Sequence, residues 1–188
     1  MKKRKFVTAA ALALCVAAAS AGTVAYFTAS DTAHNVITSG GVDIEVHEWA
    51  DEARTQEFPE DGVDGVMPGM SVIKIVEAEN VGVSSAWVRV RADKAIELAE
   101  GRTGEVDLTL LVMDIDTEHW TEQDGWYYYL EPLEAGETTE PLFTNVTFAD
   151  NMGNLYQGSV ATVDVTVQAV QTANNGTSAL DAAGWPEE

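Results

Sequence analysis

The chain predicts an all-β protein, an antiparallel β-sandwich, on three observations. Residues 41–49 (GVDIEVHEW) alternate, with Val42, Ile44 and Val46 on one face and Asp43, Glu45 and His47 on the other. Residues 159–172 repeat the pattern, with Ala161, Val163, Val165, Val167 and Ala169 set against Thr162, Asp164, Thr166 and Gln168. A period of two with one polar face is the mark of a strand buried on one side. Finally, short apolar runs recur between Gly, Pro and Asn turns, at a spacing that favours seven or eight strands in two packed sheets.

Taken in order, 51–65 (DEARTQEFPEDGVDG) is acidic and turn-rich and reads as a loop. Met67-Pro68-Gly69 makes a tight turn, Pro fixing one φ and Gly accepting a positive one. Residues 71–79 form a strand, followed by the turn Asn80-Val81-Gly82. In the strand 85–92, Ala86, Val88 and Val90 oppose Trp87, Arg89 and Arg91. Residues 93–104 hold helix formers (KAIELAE) over barely two turns and read as a short helix or a loop. Strands at 107–115, 125–130 (GWYYYL) and 142–148 follow, with a turn at 132–137 (PLEAGE). Asn174 to Gly176 is a turn, and residues 178–184 offer a turn or two of helix with Ser178 as N-cap.

Ahead of this body stands a leader. Lys2, Lys3, Arg4 and Lys5 precede an apolar run of 14 residues, Phe6 to Ala19, and then small residues up to Ala25. That is the order of a secretory signal peptide, and the run falls short of the ~20 residues that span a bilayer. The expected division is a signal peptide at 1–25, an N-terminal arm at 26–41 and one sandwich domain at 42–188. The expected location is outside the cell or on its surface, with no stable membrane span after cleavage. Two small-x-small exits compete, Ala19-Ser20-Ala21 and Thr23-Val24-Ala25; cleavage between Ala25 and Tyr26 is preferred. Cys15 follows Leu14, too bulky for a lipobox, and lies inside the apolar run.

The whole chain has a formal charge of −21; losing the leader removes four cations and no anion, leaving 6 Lys and Arg against 31 Asp and Glu, or −25. Such a surface repels nucleic acid and anionic lipid and selects cations, basic surfaces or copies of itself under screening. The single cysteine leaves with the leader, so neither a disulfide nor a thiol nucleophile is available to the mature chain.

Signals for catalysis are few. His47-Glu48 opens like the zinc-protease motif H-E-x-x-H, but residue 51 is Asp, and a strand separates i from i+4 by ~13 Å instead of stacking them on one face. Asp114, Asp116 and Glu118 alternate after a strand and are weak candidates for Ca²⁺; the expectation is no cofactor, with a solvated loop the better account. The aromatic run from Trp126 to Tyr129 offers either core and cross-strand packing or a sugar-stacking face. The arm, YFTASDTAHNVITSGG, is polar, lightly charged and rich in Thr, Ser and Val. Freed by cleavage, such a segment either pairs with an open sheet edge of another molecule or forms the first strand of its own sandwich. Gly40 and Gly41 supply a hinge.

These residues resemble the TasA/camelysin (CalY) family of secreted bacterial proteins processed by a SipW-type signal peptidase. The likeness rests on the exit Gly22-Thr23-Val24-Ala25-Tyr26-Phe27-Thr28, on Ser39-Gly40-Gly41-Val42-Asp43-Ile44, and on Met67-Pro68-Gly69 leading to Glu79-Asn80-Val81-Gly82. It extends to Pro132 through Thr139, Pro141-Leu142-Phe143 and Val167 through Gln171. The resemblance implies a jelly-roll sandwich and a biofilm-matrix fibre subunit, a homo-polymer in which the arm of one copy adds as a strand to the next. Tyr26 to Ile37 would be the donor, with Tyr26, Phe27, Val36 and Ile37 as its buried contacts. The chain departs from the best-known fibre members in being shorter and more acidic, and Tyr26 stands where they often carry Ala. Camelysin members are also described as metallopeptidases, so a metal-dependent peptidase is the alternative, and a monomeric surface adhesin a third reading; no enzyme is expected.

Overall fold

A computed structural model describes residues 27–30, 35–37, 41–60 and 63–186. The expected cleavage site, Ala25 and Tyr26, lies outside them. The described residues contain strands and short 3-10 turns, in two sheets. The strands are β1 (Phe27–Ser30), β2 (Asn35–Ile37), β3 (Ile44–Trp49), β4 (Val63–Val66), β5 (Ser71–Asn80) and β6 (Ala86–Glu97). They continue with β7 (Leu111–Met113), β8 (Trp120–Gln123), β9 (Trp126–Tyr129), β10 (Phe143–Phe148) and β11 (Val160–Gln171). One sheet runs β4-β1-β11-β6-β9-β8, with β2 also on β11; the other runs β3-β5-β10-β7. The all-β sandwich is therefore the fold.

Alternation places the core. Ile44 and Val46 of β3, Val72, Val76 and Ala78 of β5, and Val146 and Phe148 of β10 meet Val88 and Val90 of β6 and the odd-numbered residues 161–169 of β11 in one buried cluster. The backbone of the molecule is the β6–β11 pair, antiparallel and in register over twelve residues from Val160↔Glu97 to Gln171↔Ala86.

The structure differs from the sequence expectations at four places. Residues 93–97 are strand, not helix: Lys94 to Glu97 complete the ladder against Val160 to Val163, and cross-strand bonds outweigh weak helix propensity over so few residues. Residues 107–110 are not strand; Asp107 accepts from the Thr109 amide and caps a 3-10 turn at Leu108–Leu110, leaving β7 only three residues. The acidic loop 51–65 ends in a strand, β4, which pairs with β1. A hairpin partner, β8, precedes β9, and its turn is Asp124-Gly125, both at positive φ (54° and 81°) as a type I′ turn requires. Near the C-terminus a 3-10 turn, Ala179–Asp181, follows Ser178, whose side chain makes no capping bond.

A second, smaller apolar cluster lies on the opposite face of the larger sheet. Trp87, Trp126, Tyr128 and Val170 are covered there by Ala179 and Trp185 of the C-terminal segment. Arg89 is held between two indoles, 4.2 Å from the centre of Trp126 and 4.6 Å from that of Trp185, with its guanidinium donating to Gln168 Oε1 and Tyr128 Oη. The segment is tied down by Trp87 Nε1 donating to the Asn175 carbonyl at 2.8 Å. Hence Trp126 and Tyr128 are 7% exposed each, Tyr129 packs against Trp120 on the core side, and the aromatic run serves as packing.

Candidate functional site

The arm read from the sequence contains two strands, and both lie on β11. Its first strand pairs in parallel, Ala29↔Ala161 and Ser30↔Thr162; its second follows five residues further along, Thr166↔Asn35 through Gln168↔Ile37. On its other side β1 runs antiparallel to β4, Phe27↔Val66 and Ala29↔Val63, with a bulge between. The arm thus enters a slot between β4 and β11, and β4 has no other strand partner among the described residues. β11 is suited to line such a slot: fixed along its whole length by β6 on one side, it offers a rigid row of main-chain groups on the other. Of the expected arm contacts, Phe27, Val36 and Ile37 fall within these strands.

The acidic candidates separate. Asp114 is consumed by β10: its carboxylate accepts from the Thr144 amide at 2.8 Å and the Asn145 amide at 2.7 Å, and from the Thr144 hydroxyl and the Asn145 side-chain amide. Burial alone would raise its pKa, but these bonds outweigh it and hold the carboxyl below the usual range. Its role is to fasten β7 to β10 where the β5–β10 register slips between Phe143 and Asn145. Asp116 turns the other way, accepting from the Glu118 amide at 2.8 Å and pairing with His119 Nδ1 at 2.7 Å. Among the described residues no group of three His, Cys, Asp or Glu side chains is placed to hold a metal ion.

The His47-Glu48 pair is split by the pleat, as a strand dictates. His47 faces outward, 2.8 Å from Glu79 and stacked on Trp49. Glu48 faces inward, 3.0 Å from Lys74, and the Lys74 ammonium sits 4.3 Å from the centre of the Phe58 ring. Asp51, at the position where the zinc motif has its second His, accepts from the amides of Thr55 and Gln56 and closes a loop turn.

Two features escaped the sequence reading. Asn80, fully buried, is a junction of two loops, the one after β5 and the one after β9: its side-chain amide donates to the Ser84 and Leu133 carbonyls at 2.8 and 2.9 Å, its side-chain oxygen accepts from Gly82, and its own carbonyl accepts from Gly136. The Asn-x-Gly spacing was the available signal; the reach to 132–137 was not. The other is an apolar groove of about 340 Å³ at the end of the β1–β4 pair, lined by Val66, Met67, Pro68 and Met152 with Asn154 and Gln157 beside them. No helix among the described residues is long and apolar enough to cross a membrane.

No family model, curated protein or solved structure matches the chain.

Proposed function

We propose that this chain is a secreted structural protein, with a sandwich of the jelly-roll kind, whose copies join into fibres by exchanging the N-terminal arm. What supports the reading is the seat of the arm: β1 and β2 fill one edge of β11, and β1 bridges β11 to β4. An arm at the start of the chain that docks through parallel pairing can leave one slot and enter the same slot of a neighbour, keeping every main-chain bond. The leader, which a SipW-type signal peptidase would remove, frees its end.

The energetics favour exchange over simple addition. Each ladder bond contributes about 0.5–1.5 kcal/mol net, but a copy that gives up its own arm gains the same bonds back from its neighbour. The balance then rests on association and linker costs, of similar size and opposite sign, so a monomer with its slot self-filled and a polymer with slots cross-filled lie close in free energy. The test is to express residues 26–188 and 38–188 and image both by electron microscopy. Fibres from the longer form alone are the expected result; equal fibre formation by the shorter one rejects the donor role.

A further inference from the structure

We infer that Val81 and Val83, at the tip of the loop between β5 and β6, form the contact between the bodies of two copies that share an arm; this rests on the arm-exchange reading above. The chain's own reach fixes where that contact lies. β11 runs toward its end at Gln171, which pairs with Ala86, and Ile37, the last residue of β2, pairs with Gln168 near that end. The body of the chain is reached again at Gly41, whose carbonyl accepts from the Val83 amide at 3.3 Å, and at Asp43, whose carbonyl accepts from Gly82 at 3.1 Å. The arm therefore leaves its own body and ends in its slot at one and the same pole of the sandwich, that of the β5–β6 loop. Residues 38–40 alone join the two points, and fully extended they bridge at most about 14 Å. An arm lodged in a neighbour's slot in the same register thus brings the Val83 pole of the donor beside the Val83 pole of the acceptor. The opposite pole, with Met67 and the start of β5 at Ser71, lies the length of that strand away, about 30 Å.

That pole carries an exposed apolar tip. Val83 is 87% exposed, more than any other large apolar side chain among the described residues, and Val81 is 43% exposed. Residues 81–85 (VGVSS) hold no charge in a chain with 31 Asp and Glu. The tip is held in one shape. Asn80 Oδ1 accepts from the Gly82 amide at 3.1 Å, the Asn80 amide donates to the Ser84 carbonyl, and a Cβ on Gly82 would stand 2.6 Å from the Asp43 nitrogen, so the turn is pressed against the entry to β3. A preorganised tip loses little entropy on contact. Two valines on each side bury too little area to join two copies unaided, but copies linked by a shared arm meet at high effective concentration. Asp43 and Glu137, both exposed, stand on the adjoining segments, so the tips close once salt screens this rim.

The experiment uses the chain 26–188, which has no cysteine, as the single-thiol variants Val83→Cys and Met67→Cys, both at exposed positions and on opposite poles. With one thiol per chain, every disulfide joins two copies. Each protein is assembled in NaCl, imaged by electron microscopy, mildly oxidised and run on a gel without reductant. Crosslinked pairs from Val83→Cys fibres, and few from Met67→Cys fibres or from unassembled protein, are the expected result, because a disulfide needs Cα atoms within about 7 Å. Fibres in which Val83→Cys crosslinks no more than Met67→Cys overturn the contact and leave the proposed function standing. Failure of the unsubstituted 26–188 to assemble overturns both. A double variant, Val81→Ser with Val83→Ser, gives an independent reading without a thiol. It should need about tenfold more protein to assemble, the scale of partly burying these side chains, with its urea midpoint unchanged; assembly at the parent's concentration would overturn the contact.

Discussion

At the scale of single residues, the buried junction at Asn80 is a sensitive point of the molecule. Asn80, itself closed to water, bonds the Ser84 carbonyl and the Gly82 amide on the loop after β5 and the Leu133 carbonyl on the loop after β9. Asn80→Ala would strand the Ser84 carbonyl, while the Leu133 carbonyl keeps the Ala86 amide, and at about 1–3 kcal/mol for a buried group left unsatisfied the expected loss is about 2 kcal/mol. Urea unfolding should place its midpoint well below that of the parent, with an unchanged slope; a midpoint shift near zero would mean that water replaces the amide. The pair Asp116–His119 contributes a pH dependence of its own. The His119 pKa is raised, chiefly by its hydrogen bond with Asp116 and against the effect of burial. In Asp116, burial pushes the pKa up but is outweighed by the bonds from His119 and from the Glu118 amide, leaving it below the usual carboxylate value. The His119 contribution is fully present below its unfolded value near 6.5 and is lost as pH rises through the raised folded value; that of Asp116 is present above about 3.9 and is lost as pH falls through the lowered one. The pair therefore stabilises most between about pH 4 and 6.5. Going from about pH 5.5 to 8.5, the parent should lose more stability than Asp116→Asn does, and identical changes in the two proteins would remove the pair from the account.

Strands succeed or fail by what they pair with. In the Ala29→Pro variant the arm keeps its composition but loses a main-chain donor in the middle of β1, where Ala29 faces Ala161 on one side and Val63 on the other. The expected outcome is loss of fibres under the electron microscope, with near-ultraviolet circular dichroism from Trp87, Trp120 and Trp126 retained, because those indoles are buried away from the arm. Fibres indistinguishable from the parent's would show that β1 is not exchanged. The same dependence on partners explains what the sequence disclosed. β11 and β3 were legible because each carries its own two-faced alternation. β4 was not: VDGV is four residues inside an acidic loop and is a strand only because β1 lies beside it. The end of β6 was hidden by helix-forming Lys94, Ala95 and Glu97, whose conformation β11 decides. β8 had a readable mark in Asp124-Gly125, a hairpin turn by composition alone. As for the site, composition and position reveal an arm, but parallel pairing to a strand more than a hundred residues away leaves no local trace, and neither does a groove assembled from β4, the Met67 turn and residues 152–157.

For the whole molecule, charge would oppose the proposed assembly, and the sandwich supplies no cysteine to counter it. Each mature copy would carry −25, with Asp and Glu spread along the entire sequence from Asp31 to Glu188. Bringing two such surfaces together costs free energy that depends on screening, while the ladder bonds do not. The Debye length falls from about 30 Å at 0.01 M salt to about 8 Å at 0.15 M, so repulsion across a contact between copies drops sharply over that range. Assembly followed by light scattering should accordingly start sooner and proceed faster as NaCl is raised, and do so in the absence of any divalent ion. Exchange adds a second requirement, because a copy must first release its own arm from β11, and that step breaks bonds within one chain without bringing charges together. At high salt the rate should become insensitive to further salt yet remain steeply dependent on temperature, as expected once arm release limits the process. Assembly that ignores salt from the outset would mean that the surfaces brought together are not the acidic ones, and the contact between copies would have to be sought elsewhere on the sandwich.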